Sequence, residues 1–322
     1  MPLWLTESDV RAALDPAELI GAMEEALAAL SAREVCQPVR TALEIGERSF
    51  FAVMPAFDGV RGILGAKLVS VAPANAARGI PTHLAAISLF DPVTGELLAV
   101  ADGRYVTEVR TAAASAVSVR HLARPDAHVL AILGSGVQAR SHLELLPLVR
   151  AFDEIRVWSP TAEHRERFAA ESCGKVRTAD SAEAAVDGAD VIVIATNAVT
   201  PAIDSRWVAD GAHVIAIGAC RVSQREIDPE LVARAALFVD SRDAALSESG
   251  DIVQSIAEGR FGPGHIRGEL GAVVAGRSPG RCSAAEVTLF KSLGQAIEDL
   301  VAASLAYRRA SETGRGIRLT LT

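Results

Sequence analysis

Three cations stand in stretches that otherwise consist of apolar or small residues. Arg40 lies in PVRTALEI, Lys67 in GILGAKLVSV and Arg110 in TEVRTAAA. A buried, unpaired charge is very costly, so each must meet a counter-charge. A carboxylate ligand would serve, and arginine can grip it with two parallel hydrogen bonds. Each cation could instead be a water-facing strand charge or half of an internal ion pair. Three of them beside a nucleotide-binding pattern point to an anionic substrate. That pattern is Gly134-x-Gly136-x-x-Ala139, directly after the apolar run AHVLAIL and at the head of a helical stretch. The first glycine allows a tight turn, and the second lets backbone approach a pyrophosphate. Ala139 permits close helix–strand packing, and the helix start supplies free N–H groups. A plain strand-to-helix turn is the alternative; the strand–turn–helix setting favours a dinucleotide.

The next strand, expected at 154–158, ends at Ser159-Pro160-Thr161, with His164 and Arg165 following. NAD enzymes usually carry an acid at this point for the ribose hydroxyls. Here no carboxylate bars a 2′-phosphate, so Ser159, Thr161 and Arg165 are expected to favour NADP over NAD. Arg165 as a merely solvated helix residue is the alternative.

The rest of the composition narrows the class. The 322 residues carry 32 Lys and Arg against 40 Asp and Glu, a net charge of −8, with no basic run of the kind nucleic-acid binders show. Cys36, Cys173, Cys220 and Cys282 form no Cys-x-x-Cys pair, and the seven histidines show no H-E-x-x-H spacing. No metal site is expected, and reduced thiols fit a cytoplasmic protein. No basic n-region opens the chain and no long uncharged apolar stretch appears, so neither a signal peptide nor a membrane span is expected.

The elements that must position these residues fall into two textures. Residues 7–33 have helical spacing, and 38–100 is a series of short β-like runs with turns, at 39–45, 49–54, 62–71 and 84–90. We expect an antiparallel sheet with one leading helix. From an Ala-rich helix at 110–123 onward, strands and helices alternate, which implies a parallel sheet covered on both faces. A final amphipathic helix at 284–309, with Val287, Phe290, Leu293, Ile297, Val301 and Leu305 as its stripe, is long enough to return to the first domain. The expected class is α/β: a Rossmann domain at 113–296 and a discontinuous α+β domain at 1–112 and 297–322.

Several segments in order then resemble one family over nearly the whole chain. They are GAKLVSVAPANAARGIPTH (65–83), FDPVTGELLAVADG (90–103), TEVRTAAASAVSVRHLA (107–123), AILGSGVQAR (131–140), IGACRVSQREIDPELVARAALFVDS (217–241), SESGDI (247–252), GELGAVVAGRSPGR (268–281) and TLFKSLGQAIEDLVAASLAY (288–307). The chain resembles the ornithine cyclodeaminase/mu-crystallin family. The resemblance implies a homodimer whose first domains pair their sheets, with an active site in the cleft facing the nicotinamide. It implies that Arg40, Lys67 and Arg110 hold a substrate carboxylate, that Lys67 also orients or relays a proton, and that Thr82 lies near the substrate. Thr111, Gly134, Gly136, Val137 and Gln138 would touch the cofactor phosphates. Ala195 and Thr196 would border the ribose side, and Gly218 the nicotinamide.

One departure shifts the expected chemistry. Cyclodeaminases of this family, and some of its amino-acid dehydrogenases, carry Asp where this chain has Cys220, and its ketimine reductases a small polar residue such as Ser. Cyclodeamination needs an acid–base group for ammonia departure and ring closure. A thiol, with a reference pKa of about 8.5, replaces it poorly. The implied activity is NAD(P)H-dependent reduction of a carboxylate-bearing imine, or the reverse amino-acid dehydrogenation, with Lys67 and Cys220 as the catalytic candidates. The alternatives are a cyclodeaminase that recycles its NAD and a small-ligand-binding protein without turnover. Cys220 could also merely pack, with Glu226 or Asp228 as the acid.

Overall fold

In a computed structural model, which describes residues 1–46 and 48–320, the chain divides into two compact units, 1–110 with 294–322 and 111–293. The last two residues expected in the first domain, 321–322, lie outside the described residues.

The first unit opens with β1 (Leu3–Leu5), α1 (Glu7–Ala13) and α2 (Pro16–Ser31). The single leading helix expected at 7–33 is thus two. Asp15 caps α2 by accepting from the Glu18 N–H at 2.8 Å, and Pro16 occupies its first turn. Proline disfavours helical backbone in the residue before it, which ends α1. The strands that follow are β2 (Val35–Cys36), β3 (Thr41–Gly46), β4 (Ser49–Asp58), β5 (Ile63–Val71), β6 (His83–Phe90) and β7 (Leu97–Asp102). From β3 to β7 each consecutive pair is antiparallel, as expected; β1 joins β7 in parallel, so the sheet is mixed.

Alternation along β5 splits its side chains between two faces. Gly65, Lys67 and Val69 point inward, and Leu64, Ala66 and Leu68 outward. α3 (Gly103–Leu122) follows β7 and starts about two turns earlier than the composition suggested.

The inward face is covered by α11 (Ala296–Thr313), the last helix of the chain. A Cβ at Gly65 would collide with the Ser88 carbonyl and sit 3.2 Å from Leu300, so glycine is what lets strand and helix approach. α11 begins with a reciprocal cap between Gln295 and Glu298 and ends at Gly314, whose φ is +68°. The helix expected to start at 284 therefore begins at 296. Val287, Phe290 and Leu293 do not belong to its stripe: residues 288–291 form a strand of the second unit, and Gly294, at φ +77°, separates the two elements. Spacing of three fits a helix, but these residues sit in a strand region buried on both sides, where strict alternation is not required.

The second unit is a parallel sheet. Its strands are β8 (Val129–Leu133), β9 (Glu154–Trp158), β10 (Arg177–Thr178), β11 (Val191–Ile194), β12 (His213–Ala216), β13 (Ala236–Val239), β14 (Ile266–Glu269) and β15 (Thr288–Lys291). Their order is β10-β9-β8-β11-β12-β15-β13-β14. The intervening helices are α4 (Val137–Leu145), α5 (Ala162–Glu171), α6 (Ala182–Val186), α7 (Pro229–Arg234), α8 (Arg242–Glu248), α9 (Gly250–Ala257) and α10 (Leu270–Val274). Progression runs outward from β8 to β10, then reverses across β8 to β11. That reversal is the switch point at which doubly wound sheets bind dinucleotides. Among the described residues, no helix is long and apolar enough to cross a membrane.

Candidate functional site

In the first unit, β5 delivers Lys67 inward to 2% exposure, and α3 delivers Arg110 to 5%. Both end on one carboxylate of α11. Asp299 Oδ2 accepts from Lys67 Nζ at 2.6 Å, and its Oδ1 from Arg110 Nε at 3.0 Å. Glu298, the preceding residue, accepts from the other side of the guanidinium at 2.9 Å. Arg110 also lies against the backbone of Gly294, where a Cβ would press into the guanidinium. Arg40 donates to the Gly294 carbonyl at 2.9 Å, so the two arginines converge on the same residue. One turn before Arg110, Thr107 lies 3.5 Å from Lys67 Nζ. The internal-ion-pair alternative for Lys67 and Arg110 thus holds in part, since each has an acidic partner.

Burial decides the electrostatics here. It draws the Lys67 ammonium down to about 8, against the raising effect of Asp299 and aided by Arg110 and Arg40. Lys67 is therefore mostly protonated at neutral pH yet close to its titration. His83, at the head of β6, is drawn down to about 4 by burial and then by Lys67, so its imidazole is neutral. Burial would raise Asp299, but Arg110 and Lys67 hold it below the usual carboxylate range. Such a cluster can bind an acidic group and hold one proton ready for transfer. Thr82, beside His83, is half-buried, and its carbonyl accepts from the Ala72 N–H at 2.8 Å.

In the second unit, Gly134 follows β8 at φ +128°, and a Cβ there would collide with the Ala195 carbonyl at the end of β11. Gly136 caps α4 without any side-chain hydrogen bond, and a Cβ on it would meet nothing within 4 Å. The start of α4 therefore has open space beside Gly136, room that a pyrophosphate at a helix N-terminus would fit. Ala139 is fully buried under the turn. Val137 and Gln138 form the first turn of α4, and Thr111 is largely buried on α3.

Next to the turn is a cavity of about 300 Å3 lined by Ser135, Gly136, Arg140, His164 and Arg167. Ser159 stands behind it, 3.0 Å from the Ser135 hydroxyl. Thr161 precedes α5, and Arg165 donates to the Ser159 carbonyl at 3.2 Å. The cations lining the cavity are thus Arg140 and Arg167, with the His164 imidazole beside them. Nothing in the sequence separates Arg140 and Arg167 from ordinary helix cations, since each stands four residues from an acid, Glu144 and Glu163.

Cys220 is half-buried and packs on the apolar core of this unit, as the packing alternative has it. The acids considered in its place are both engaged. Glu226 is fully buried and accepts from the N–H groups of Gly218 and Ala219 at 2.7 and 3.0 Å. Asp228 caps α7 and accepts from the Glu230 N–H at 3.0 Å. Thr196 follows β11, and its hydroxyl donates to Glu226 at 3.2 Å. Among the described residues no group of three or more His, Cys, Asp or Glu could hold a metal ion.

Known proteins are similar to this chain over nearly its whole length. Rat ketimine reductase mu-crystallin is 44% identical over 311 residues, 95% of this chain and 96% of its own. The structure of Thermococcus litoralis Delta(1)-pyrroline-2-carboxylate reductase, in complex with NADH and L-proline, matches with a TM-score of 0.95 at 36% identity, covering 98% of this chain and 100% of that one. An archaeal alanine dehydrogenase dimer with bound NAD matches with a TM-score of 0.94 at 31% identity, covering 100% and 99%. Residues 2–314 match the model of one family, and with relatives of this similarity the conclusion is direct: the chain belongs to the ornithine cyclodeaminase/mu-crystallin family.

Proposed function

We propose that this protein is an NAD(P)H-dependent reductase of a carboxylate-bearing imine, cyclic imino acids foremost, with NADP(H) preferred, and that it acts as a homodimer. The observation that carries the reading is the convergence of Lys67 and Arg110 on Asp299, at 2.6 and 3.0 Å, with Arg40 and Arg110 both meeting Gly294.

A reduced nicotinamide, when bound, supplies the hydride that the imine carbon gains. The chain supplies orientation and a proton. Arg110 and Arg40 grip the substrate carboxylate, which fixes the adjacent C=N bond. Glu298 and Asp299 hold the Arg110 fork in one plane. Lys67 gives its proton to the imine nitrogen as that nitrogen becomes an amine, and Asp299 keeps the ammonium aimed and charged until then. Thr82 borders the substrate. Cys220 needs no acid–base role in this reaction, because no ammonia has to depart.

The cofactor phosphates meet the turn of Gly134 and Gly136 and the first turn of α4 at Val137 and Gln138, with Thr111 beside them and Ala195, Thr196 and Gly218 along the ribose and nicotinamide. Ser159, Thr161 and Arg165 shape the end of β9. The cavity lined by Arg140, His164 and Arg167 suits a 2′-phosphate, which supports NADP over NAD.

Dimerisation is supported by the outward face of the first unit's sheet. Leu43, Leu68 and Leu84 are 60, 42 and 43% exposed. The register pairs Leu43 with Phe51, Leu68 with Val53 and Leu84 with Ser70, which sets them on one continuous face. Exposed apolar faces of this kind mark association surfaces.

The test is a direct assay of the purified protein with Δ1-pyrroline-2-carboxylate, its six-membered-ring analogue and open-chain imines. Consumption of one reduced nicotinamide per amino acid formed is expected. Lys67→Ala should lower turnover by about 10²-fold or more while cofactor binding is unchanged. No cofactor consumption with any such imine would overturn the reading.

A further inference from the structure

Three fully buried charged residues lie behind the cofactor-facing edge of the Rossmann sheet. Lys291 ends β15, Glu226 lies in the segment between β12 and α7, and Asp251 is in the first turn of α9. Lys291 Nζ is 3.1 Å from Glu226 Oε1 and 3.0 Å from Asp251 Oδ2. Asp251 Oδ1 accepts from the backbone N–H groups of Glu226 and Ile227 at 2.8 and 3.0 Å. The carboxylate of Glu226 receives four donors. Oε1 takes Lys291 and the N–H groups of Gly218 and Ala219, and Oε2 takes the Thr196 hydroxyl. Each of these groups acts as a donor and so favours the ionised carboxylate, against burial, which raises the Glu226 pKa.

The contacts of Glu226 join two strand ends. Thr196 follows β11, and Gly218 and Ala219 follow β12, the strand beside it. A side chain at Gly218 would collide with both the Thr196 carbonyl and Glu226 Oε2. A side chain at Gly250 would collide with the Gln224 carbonyl, so α9 presses on the segment that carries Glu226. A buried ion triad adds little stability over apolar residues of the same volume, because desolvation offsets the attraction. What the triad gives instead is a fixed position for two loops at the switch point.

We propose that Glu226, held by Lys291 and Asp251, is a positioning residue for the nicotinamide half of the cofactor. It ties Thr196 to the Gly218–Ala219 turn, so the surface against which the reacting ring lies cannot drift. The proposal rests on the reading that this unit binds a nicotinamide dinucleotide. The glycine turn and the Arg140 cavity, which serve the adenosine half, are built from β8, α4 and α5, none of which carries a member of the triad, and should be insensitive to it.

The experiment uses Glu226→Gln, which keeps volume but removes the charge, in the full-length protein. Calorimetric titration measures NADPH and 2′-phospho-ADP-ribose, the fragment lacking nicotinamide; steady-state assays with Δ1-pyrroline-2-carboxylate give kcat and KM. Expected are unchanged affinity for the fragment, a reduced ratio of NADPH to fragment affinity, and a kcat lower by about 10- to 100-fold. If Glu226→Gln does not fold, Glu226→Gln/Lys291→Met removes opposite charges together and is read the same way. A folded variant with wild-type kcat and affinity ratio overturns the proposal, as does an equal loss for the fragment and NADPH, which a purely structural role would give. Failure of the wild-type protein to bind either ligand overturns the cofactor reading, and the proposal with it.

Discussion

Lys67 owes its chemistry to neighbours that its own strand does not provide. Burial alone would strip its proton, and Asp299 restores enough of the charge to leave its pKa at about 8. If the protonated amine is the proton donor, kcat should hold from neutral pH and fall as pH rises through about 8. The sign follows from the donor's role: the active form is the one lost on deprotonation. Asp299→Asn removes the opposing charge, so the falling limb should move about 1 to 3 pH units lower. A pH–rate profile of both proteins measures this, and a limb that stays in place in the variant would remove Lys67 from proton transfer. His83 is already neutral across this range and contributes no second limb above pH 5.

At the level of elements, the proposed function has the glycine turn and α5 divide the work of holding a dinucleotide. The turn offers backbone donors that do not depend on side-chain type, and the cavity beside it offers cations. Arg140 is paired with Glu171 at 2.6 Å and Arg167 with Glu163 at 2.8 Å, both near the surface. Exposed pairs of this kind are weak, so a dianionic phosphate can displace the carboxylates. Loss of one charge-assisted hydrogen bond costs about 1.5 to 3 kcal/mol. Arg140→Ala or Arg167→Ala should therefore raise KM for NADPH by about 10-fold or more and leave KM for NADH unchanged. Parallel kinetics with the two cofactors check it; an equal change for both would place the 2′-phosphate elsewhere.

At the scale of the whole molecule, one strand serves two ends. β5 turns Lys67 inward toward α11 and its sequence neighbour Leu68 outward, because strand side chains alternate. The inward face is closed by Leu300 and the rest of α11; the outward apolar face is closed, in our reading, by a second copy of the chain. Leu68→Asp puts a charge on that face without entering the core. It should convert a dimer to a monomer in sedimentation velocity while circular dichroism is unchanged. A wild-type protein that sediments as a monomer at micromolar concentration would end the dimer reading.

What the sequence by itself determined is the local chemistry. A run of apolar residues followed by Gly134 and Gly136 dictates strand, turn and helix start, because those conformations depend on nearest neighbours. The αβ alternation, and with it the Rossmann sheet, follows from the same local patterning. The need of Lys67 and Arg110 for counter-charges was equally visible, since desolvation depends on the surrounding residues in the strand and helix. Which groups meet them was decided only by tertiary structure. Asp299 and Glu298 lie nearly two hundred or more positions away, at the start of α11, where they have the pattern of ordinary acids at a helix N-terminus. The same holds for Lys291, whose partners Glu226 and Asp251 come from different segments of the chain. The misplaced start of the last helix has the same root: Val287, Phe290 and Leu293 are apolar in either conformation, and only burial between neighbouring strands selects the extended one. Long-range pairing leaves no periodic trace, so the counter-charges, the triad and the strand β15 had to wait for the fold.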